Sequence, residues 1–429
     1  MEKIIVKGKT ALSGSVKISG SKNSAVALLP ASVMTSETVC LENLPDITDV
    51  RTMIEILENL GVSIRRRGRD SLELTPGSIS KIAPSYELVK KMRASYYFMG
   101  SLLARFGRAE VPIPGGCDLG PRPIDQHLKG FTALGADINI EHGMIKLTAQ
   151  KLTGARVYLD VVSIGATINL MLAAAAAEGR TILENVAKEP EIVDLSNFLN
   201  AMGASVRGAG TDVIRIDGVK KFKGAVHTVI PDRIEAGTFM MAAAATRGRV
   251  TVEDVIPKHL EAITAKIREI GAKVEVDPEK ITVDGTAPLV SSDLKTFPYP
   301  GFPTDLQPPG MVLLTAAEGL SVITENVFDG RYNHVNELKR MGARIKVEGR
   351  TALIEGGMPL TGAPVAAPDL RSGAALIIAA LTADGESQIS AVDHVDRGYD
   401  NFEGKLTGLG ASIYRTADES YDRQSGKVD

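Results

Sequence analysis

A glycine followed by a small or β-branched residue recurs six times along the chain, at Gly61-Val62, Gly135-Ala136, Gly203-Ala204, Gly271-Ala272, Gly342-Ala343 and Gly410-Ala411. The spacings are 74, 68, 68, 71 and 68 residues. Each pair closes an amphipathic run, such as Leu195-Ser196-Asn197-Phe198-Leu199-Asn200-Ala201-Met202. Each opens a short alternating stretch, such as Ala343-Arg344-Ile345-Lys346-Val347. Glycine after the last periodic residue ends a helix because it takes positive φ without a Cβ penalty. A second landmark precedes each pair by about 23–28 residues: an apolar, Ala-rich helix, then a Gly turn, then a strand. The clearest cases run through Ala173–Ala177 to Glu178-Gly179-Arg180, Ala242–Ala245 to Arg247-Gly248-Arg249, and Ala379-Ala380 to Asp384-Gly385-Glu386.

Six matches in near-constant register define six βαβαβ-type repeats. Helices that are apolar nearly all round must be buried, while the strands carry polar residues. The expected fold class is therefore α/β, as two lobes of three pseudo-symmetric repeats with helices inside and sheets outside, the inverse of the usual layering. Candidate crossings between lobes are Ser19-Gly20-Ser21 and Ile230-Pro231-Asp232; composition does not fix the boundary.

The 429 residues suffice for sizeable cores, and 44% hydrophobic with 24% charged residues is ordinary for a soluble chain. With 49 basic and 52 acidic side chains the formal charge is −3, which argues against nucleic acid as a partner. Aromatics at 4% and no Trp leave few stacking platforms for single strands. Two cysteines do not make a disulfide framework and fit a reducing compartment. The opening Met1-Glu2-Lys3-Ile4-Ile5-Val6 reads as a strand, with no apolar signal segment. The apolar stretch near Ile168–Ala177 is too short to span a bilayer. A cytoplasmic protein with no membrane partner is expected; the oligomeric state is left open.

Counting back about 14 residues from each Gly turn brings the buried helices' N-termini to Lys22, Arg93, Ser163–Gly165, Arg233, Asp305 and Arg371. Cations there oppose the helix macrodipole. A bound anion shared between each cation and the free backbone N–H groups would remove the conflict. The second helix of each repeat shows the same anomaly at its start: Arg122, Arg331 and Arg397 precede their Gly-Ala pairs by 13, 11 and 13 residues, in irregular stretches. Any one of these arginines reads equally as a solvated surface residue. As a set at equivalent repeat positions, they suit a substrate bearing phosphate and carboxylate.

Cys117 lies in the Gly/Pro-rich stretch Pro112-Ile113-Pro114-Gly115-Gly116-Cys117-Asp118-Leu119-Gly120-Pro121-Arg122. It is either an incidental loop thiol or, beside Arg122, a reactive group able to donate a proton. Cys40, in Thr38-Val39-Cys40-Leu41, reads as a buried strand residue. Asp305, in Phe302-Pro303-Thr304-Asp305-Leu306-Gln307, is either a helix cap or a general base among cations. Six scattered His and two distant Cys have no metal-ligand spacing, and neither a phosphate-binding loop nor a dinucleotide fingerprint is present. No metal and no cofactor are expected.

These residues carry a resemblance that runs nearly end to end, from Gly20-Ser21-Lys22-Asn23 to Asp396-Arg397-Gly398-Tyr399. Its motifs are the Cys117 stretch with Arg122-Pro123-Ile124-Asp125, Val162-Ser163-Ile164-Gly165-Ala166-Thr167, Glu189-Pro190-Glu191-Ile192-Val193-Asp194, Pro231-Asp232-Arg233-Ile234-Glu235 and Phe302–Gln307. The chain resembles the enolpyruvyl transferases, and among them those acting on UDP-N-acetylglucosamine. The Lys22-Asn23 pair and the Cys117 stretch separate it from the related shikimate-pathway synthases.

The resemblance implies two inside-out α/β barrel lobes, residues 1–21 plus 232–429 and residues 22–231, with a double hinge near 20–22 and 230–232. UDP-N-acetylglucosamine would bind first and the lobes close on it. The enolpyruvyl group of phosphoenolpyruvate would then pass to the sugar 3′-hydroxyl with release of phosphate, the first committed step of peptidoglycan precursor synthesis. Implied phosphoenolpyruvate contacts are Lys22, Asn23, Arg122, Arg331, Arg371 and Arg397. Implied UDP-sugar contacts are Arg93, Arg122, Pro123, Ile124, Asp125, Gln126, Ser163, Asp305 and Val327. Cys117 would be proton donor, Asp305 base, with Lys22 and Arg397 assisting catalysis. Two departures from the family pattern stand out: Val161 where many members have Lys, and Gln307-Pro308-Pro309-Gly310, which predicts a distorted first helical turn. A shikimate-type synthase and a non-reacting UDP-sugar sensor are the rival readings.

Overall fold

The computed structural model describes residues 2–79, 81–113 and 124–417. Cys117, Arg122 and Pro123 lie outside them. Packing divides the chain into two units: residues 2–18 with 231–417, and residues 19–113 with 124–230. The chain passes from one to the other after Ile18 and back after Ile230. Each unit has its own hydrophobic core, and the two sets of buried residues do not overlap.

Six small sheets are present among the described residues, one for each repeat. In the repeat beginning at Arg156–Tyr158, that strand pairs parallel to Arg180–Glu184 across the helix Ile164–Ala174. Arg180–Glu184 then pairs antiparallel to Val213–Asp217, which carries Ser205–Arg207 on its other edge. Strands such as Arg249–Glu253 alternate, with Val250 and Val252 inward and Arg249 outward, so each sheet is solvated on one face.

Three repeats borrow strands across the sequence. Ser13–Lys17 pairs parallel to Arg249–Glu253, and Val226–Thr228 pairs parallel to Val39–Glu42. Glu2–Lys7 completes the sheet of the last repeat between Glu386–Ser390 and Ser412–Ala417.

The Ala-rich helices fill the centre of each unit. Arg233–Ala245, Gln307–Thr315 and Leu370–Thr382 pack on one another in one unit; Phe98–Phe106 packs on Lys22–Ala31 and Ile164–Ala174 in the other. Their first-turn residues therefore lie at the ends of a buried bundle. At the six repeat glycines, Gly61 to Gly410, φ lies between 91 and 107°, as the helix-end reading requires. At the Arg247-Gly248 turn the left-handed residue is Arg247, with φ 56°. Its guanidinium offsets the strain by donating to the Ala287 carbonyl at 2.6 Å. Gly248 serves instead for close approach, since a Cβ there would sit 2.0 Å from the Leu12 carbonyl oxygen.

Cys40 is in the strand Val39–Glu42 but is only half-buried. The two-residue period turns Val39 and Leu41 to the core and Cys40 to the opposite face. No helix among the described residues is long and apolar enough to cross a membrane.

Candidate active site

Lys22 opens the helix Lys22–Ala31, capped by Ser21, whose hydroxyl accepts from the Ser24 N–H at 3.3 Å. Its ammonium nitrogen is 2.9 Å from Oδ2 of Asp49, a buried carboxylate in the first turn of Thr48–Leu60. Asn23 Nδ2 donates to Glu191 Oε1 at 3.4 Å. Arg93 opens the 3-10 turn Arg93–Tyr97, its guanidinium 5.8 Å from the centroid of the Tyr96 ring. That ring meets His127 edge-on at 5.0 Å.

Asn169 accepts the Gly100 N–H at 2.9 Å through Oδ1 and turns Nδ2 to His127 Nδ1, at 3.0 Å. The pairing makes Nδ1 the acceptor and leaves the imidazole proton on Nε2. Burial first, then the Arg93 charge, holds the His127 pKa down at about 3, so the ring is neutral.

Ile124 precedes the helix Asp125–Ala133. Gln126 Nε2 donates to Asp125 Oδ2 at 2.8 Å and to Asp160 Oδ2 at 3.1 Å, while its Oε1 accepts the Asp160 N–H at 2.9 Å. Ser163 caps Ile164–Ala174, accepting from Ala166 N–H at 3.2 Å. Val161 beside it is exposed.

The other unit gathers two predicted arginines on one predicted carboxylate. Asp305 lies in the 3-10 turn Thr304–Leu306. Its Oδ1 is 2.9 Å from Arg331 Nη2, and its Oδ2 accepts from Arg371 Nε at 3.1 Å. Both arginines are almost wholly buried; Asp305 keeps 28% of its side chain exposed. Arg371 lies over the Tyr399 ring, 5.1 Å from the centroid, and Tyr399 Oη is 2.9 Å from Thr238 Oγ1. Burial pulls the Arg371 pKa down, but Tyr399, Asp305 and Asp232 outweigh it and the net shift is upward. Arg331 Nε and Arg371 Nη1 are buried without a hydrogen-bond acceptor among the described residues. Arg397 caps the C-terminal end of Asp393–Asp396 and is half-buried, two residues before Tyr399. Val327 donates its N–H to Glu325 Oε1 at 2.9 Å.

Three sequence expectations need correction. The conflict between cations and helix dipoles is met by carboxylates of the protein itself: Asp49 faces Lys22, Asp232 caps the helix of Arg233, and Asp369 caps that of Arg371. The position of the cations therefore does not by itself demand an external anion. Arg331 and Arg397 do not begin helices; Val335–Arg340 starts four residues after Arg331. Pro308 and Pro309 do not distort the helix Gln307–Thr315, because they fall in its first turn, where no N–H is needed. The preceding 3-10 turn has a counterpart at Arg93–Tyr97, before Phe98–Phe106, where no such prolines occur.

Sequence reasoning missed Asp49, Tyr399 and Glu325. An acid in a helical first turn or after a strand is common enough to carry no signal; only packing singles these out. No group of three or more His, Cys, Asp or Glu able to hold a metal occurs among the described residues.

Two units of three such repeats are the architecture of enolpyruvyl transferases. The enolpyruvyl transferase NikO from Streptomyces tendae superposes with a TM-score of 0.88 over 97% of this chain and 99% of that one, at 26% identity. An EPSP synthase from Acinetobacter baumannii shares the fold at a TM-score of 0.74 and 19% identity, over 97% of this chain and 100% of that one. The chain belongs to the EPSP synthase (3-phosphoshikimate 1-carboxyvinyltransferase) family, whose model matches residues 6–406. Among curated relatives, UDP-N-acetylglucosamine 1-carboxyvinyltransferase 3 of Caldanaerobacter subterraneus subsp. tengcongensis is 55% identical over 97% of this chain and 99% of its own length. The UDP-N-acetylglucosamine 1-carboxyvinyltransferase of Clostridium botulinum is 54% identical over 97% of this chain and 100% of its own.

Proposed function

We propose that the chain transfers the enolpyruvyl group of phosphoenolpyruvate to the 3′-hydroxyl of UDP-N-acetylglucosamine and releases phosphate, in the cytoplasm. The observation that carries this reading is Asp305 held at 2.9 and 3.1 Å by two buried arginines, in a chain 55% identical to a relative named for that reaction. Phosphoenolpyruvate is compact and densely anionic. Lys22, Arg122, Arg331, Arg371 and Arg397 would bind it, with Asn23 beside them, and the unmet donors Arg331 Nε and Arg371 Nη1 would find acceptors in its oxygens. Arg93, Arg122 to Gln126, Ser163, Asp305 and Val327 would bind the UDP-sugar.

Cys117 would give its proton to the phosphoenolpyruvate methylene carbon while the 3′-oxygen bonds to the adjacent carbon and Asp305 accepts the hydroxyl proton. The tetrahedral intermediate would lose phosphate by C–O cleavage and a proton from the methyl carbon, restoring the double bond. Cations stabilise the charge that builds on the departing phosphate. Arginines drawn to the substrate would also free Asp305 lone pairs for the hydroxyl, so that binding of the anion prepares the base. Residues 1–21 with 232–429 would act as the catalytic lobe, hinged near 20–22 and 230–232 to residues 22–231, which carry Cys117.

The test is phosphate release from phosphoenolpyruvate with purified protein and UDP-N-acetylglucosamine. The expected result is release that depends on both substrates. Shikimate 3-phosphate serving instead as acceptor would favour the other activity of the family, and binding of UDP-N-acetylglucosamine without turnover would mark a sensor. Cys117→Ala should abolish release and Cys117→Asp retain part of it. Fosfomycin should add its mass at Cys117.

A further inference from the structure

Most of the repeats share one backbone feature directly after the strand that follows the buried helix. In four of them the residue there is left-handed: Asn43, Asn185, Asp254 and Ala391 have φ between 54 and 56°. Two of these tie down the neighbouring segment, Asn43 Nδ2 donating to the Val229 carbonyl and Asn185 Nδ2 to the Leu159 carbonyl. In the repeat that carries Asp305 the equivalent residue is Glu325, directly after Gly319–Thr324. It breaks the pattern with a long carboxylate that is fully buried.

Glu325 accepts four hydrogen bonds within that unit. Oε1 takes the Thr296 hydroxyl at 2.8 Å and the N–H groups of Val327 and Phe328 at 2.9 and 3.1 Å. Oε2 takes the Thr304 hydroxyl at 3.0 Å. Thr304 Oγ1 in turn accepts from Arg331 Nη1 at 2.9 Å, and Arg331 Nη2 reaches Asp305. One buried group thus ties together the turn carrying Asp305, the turn carrying Val327 and, through Thr304, the Arg331 guanidinium that reaches Asp305. A buried carboxylate is a costly way to hold a loop that an asparagine holds in two of the sister repeats.

We propose that Glu325 is a positioning residue for the transfer reaction, acting through Thr304 on Arg331 and Asp305 and through two backbone N–H groups on the Val327 turn. The assignment rests on the activity proposed above. It needs no contact between Glu325 and substrate; it sets geometry, to which rates are steeply sensitive.

The experiment uses Thr304→Val, which removes only the hydroxyl relay at constant volume, Thr304→Ser, which keeps it, and Glu325→Gln, which keeps the shape but points an amide N–H at a donor or demands that one reverse. Each full-length variant is assayed for kcat and for KM of both substrates, with thermal melting beside it. Thr304→Val and Glu325→Gln should lower kcat about tenfold or more and raise KM for phosphoenolpyruvate through misplaced Arg331. Thr304→Ser should recover most of the rate, and Thr304→Val should stay folded with a cooperative melt, somewhat lowered by the buried Glu325 oxygen left without its donor. Parental kcat and KM in Thr304→Val and Glu325→Gln would overturn the assignment, as would losses that track a collapse in melting temperature and are not recovered by Thr304→Ser. An inactive parent protein would sink the proposed activity instead, and is recognised before any variant is made.

Discussion

At the scale of single residues, the charged groups are held by short internal contacts. Asp49 holds Lys22, and Asp305 holds Arg331 and Arg371. The cations were legible in the sequence because they recur in register; their carboxylate partners were not, because Asp49 lies 27 positions away and Asp305 66 from Arg371. Two buried histidines give the residue scale its own prediction. Burial, then Arg93, holds His127 at about 3; burial, opposed by Asp369 and aided by Arg331, holds His334 at about 4, against 6.5 for a free side chain. The unfolded chain therefore takes up these protons before the native one. Their contribution to stability is complete above about pH 6.5 and is lost as pH falls toward 4, by up to about 1.4 kcal/mol per pH unit for each ring. Urea midpoints should drop between pH 7 and 4.5, and less so in His127→Gln. An identical drop in that variant would mean that the ring titrates normally in the fold.

At the scale of elements, the helices follow directly from composition and the packing between them does not. Ile164–Ala174 and Leu370–Thr382 are apolar nearly all round and both are buried, as such surfaces require. Their neighbours had to be seen. Gly100, in the first turn of Phe98–Phe106, lets that helix approach Ile164–Ala174 so closely that a Cβ would lie 2.5 Å from the Asn169 carbonyl oxygen and 2.9 Å from its Oδ1. Gly100→Ala gains helix propensity yet must separate the two helices and strain the Asn169–His127 contact. The expected net loss is about 1–3 kcal/mol, read as a lower midpoint in equilibrium denaturation. A stabilised variant would show that the helices have slack. Asp305 marks the limit of element-level reading. Cap and base were both open from its sequence context, and the turn it occupies is a 3-10 turn whose cap position is Pro303. Its two arginine partners exclude the simple cap.

At the scale of the whole molecule, all three sheets and the entire core of one unit come from a single stretch, residues 19–230. That stretch closes on itself: Val226–Thr228 pairs with Val39–Glu42, and the Ser21 N–H donates to the Ile230 carbonyl at 2.7 Å. A protein consisting of residues 19–230 should fold cooperatively alone, with a sigmoidal urea transition and dispersed amide resonances; a non-cooperative transition would contradict separate cores. By itself the sequence determined the number of repeats, the burial of the Ala-rich helices and the chemical types present, because periodicity and glycine placement are local and repeat six times. Tertiary structure alone decided which acid faces which base, and that Glu325 replaces a left-handed residue of its sister repeats. Those outcomes depend on pairings between distant segments, and nothing in the residues flanking either partner encodes the distance between them.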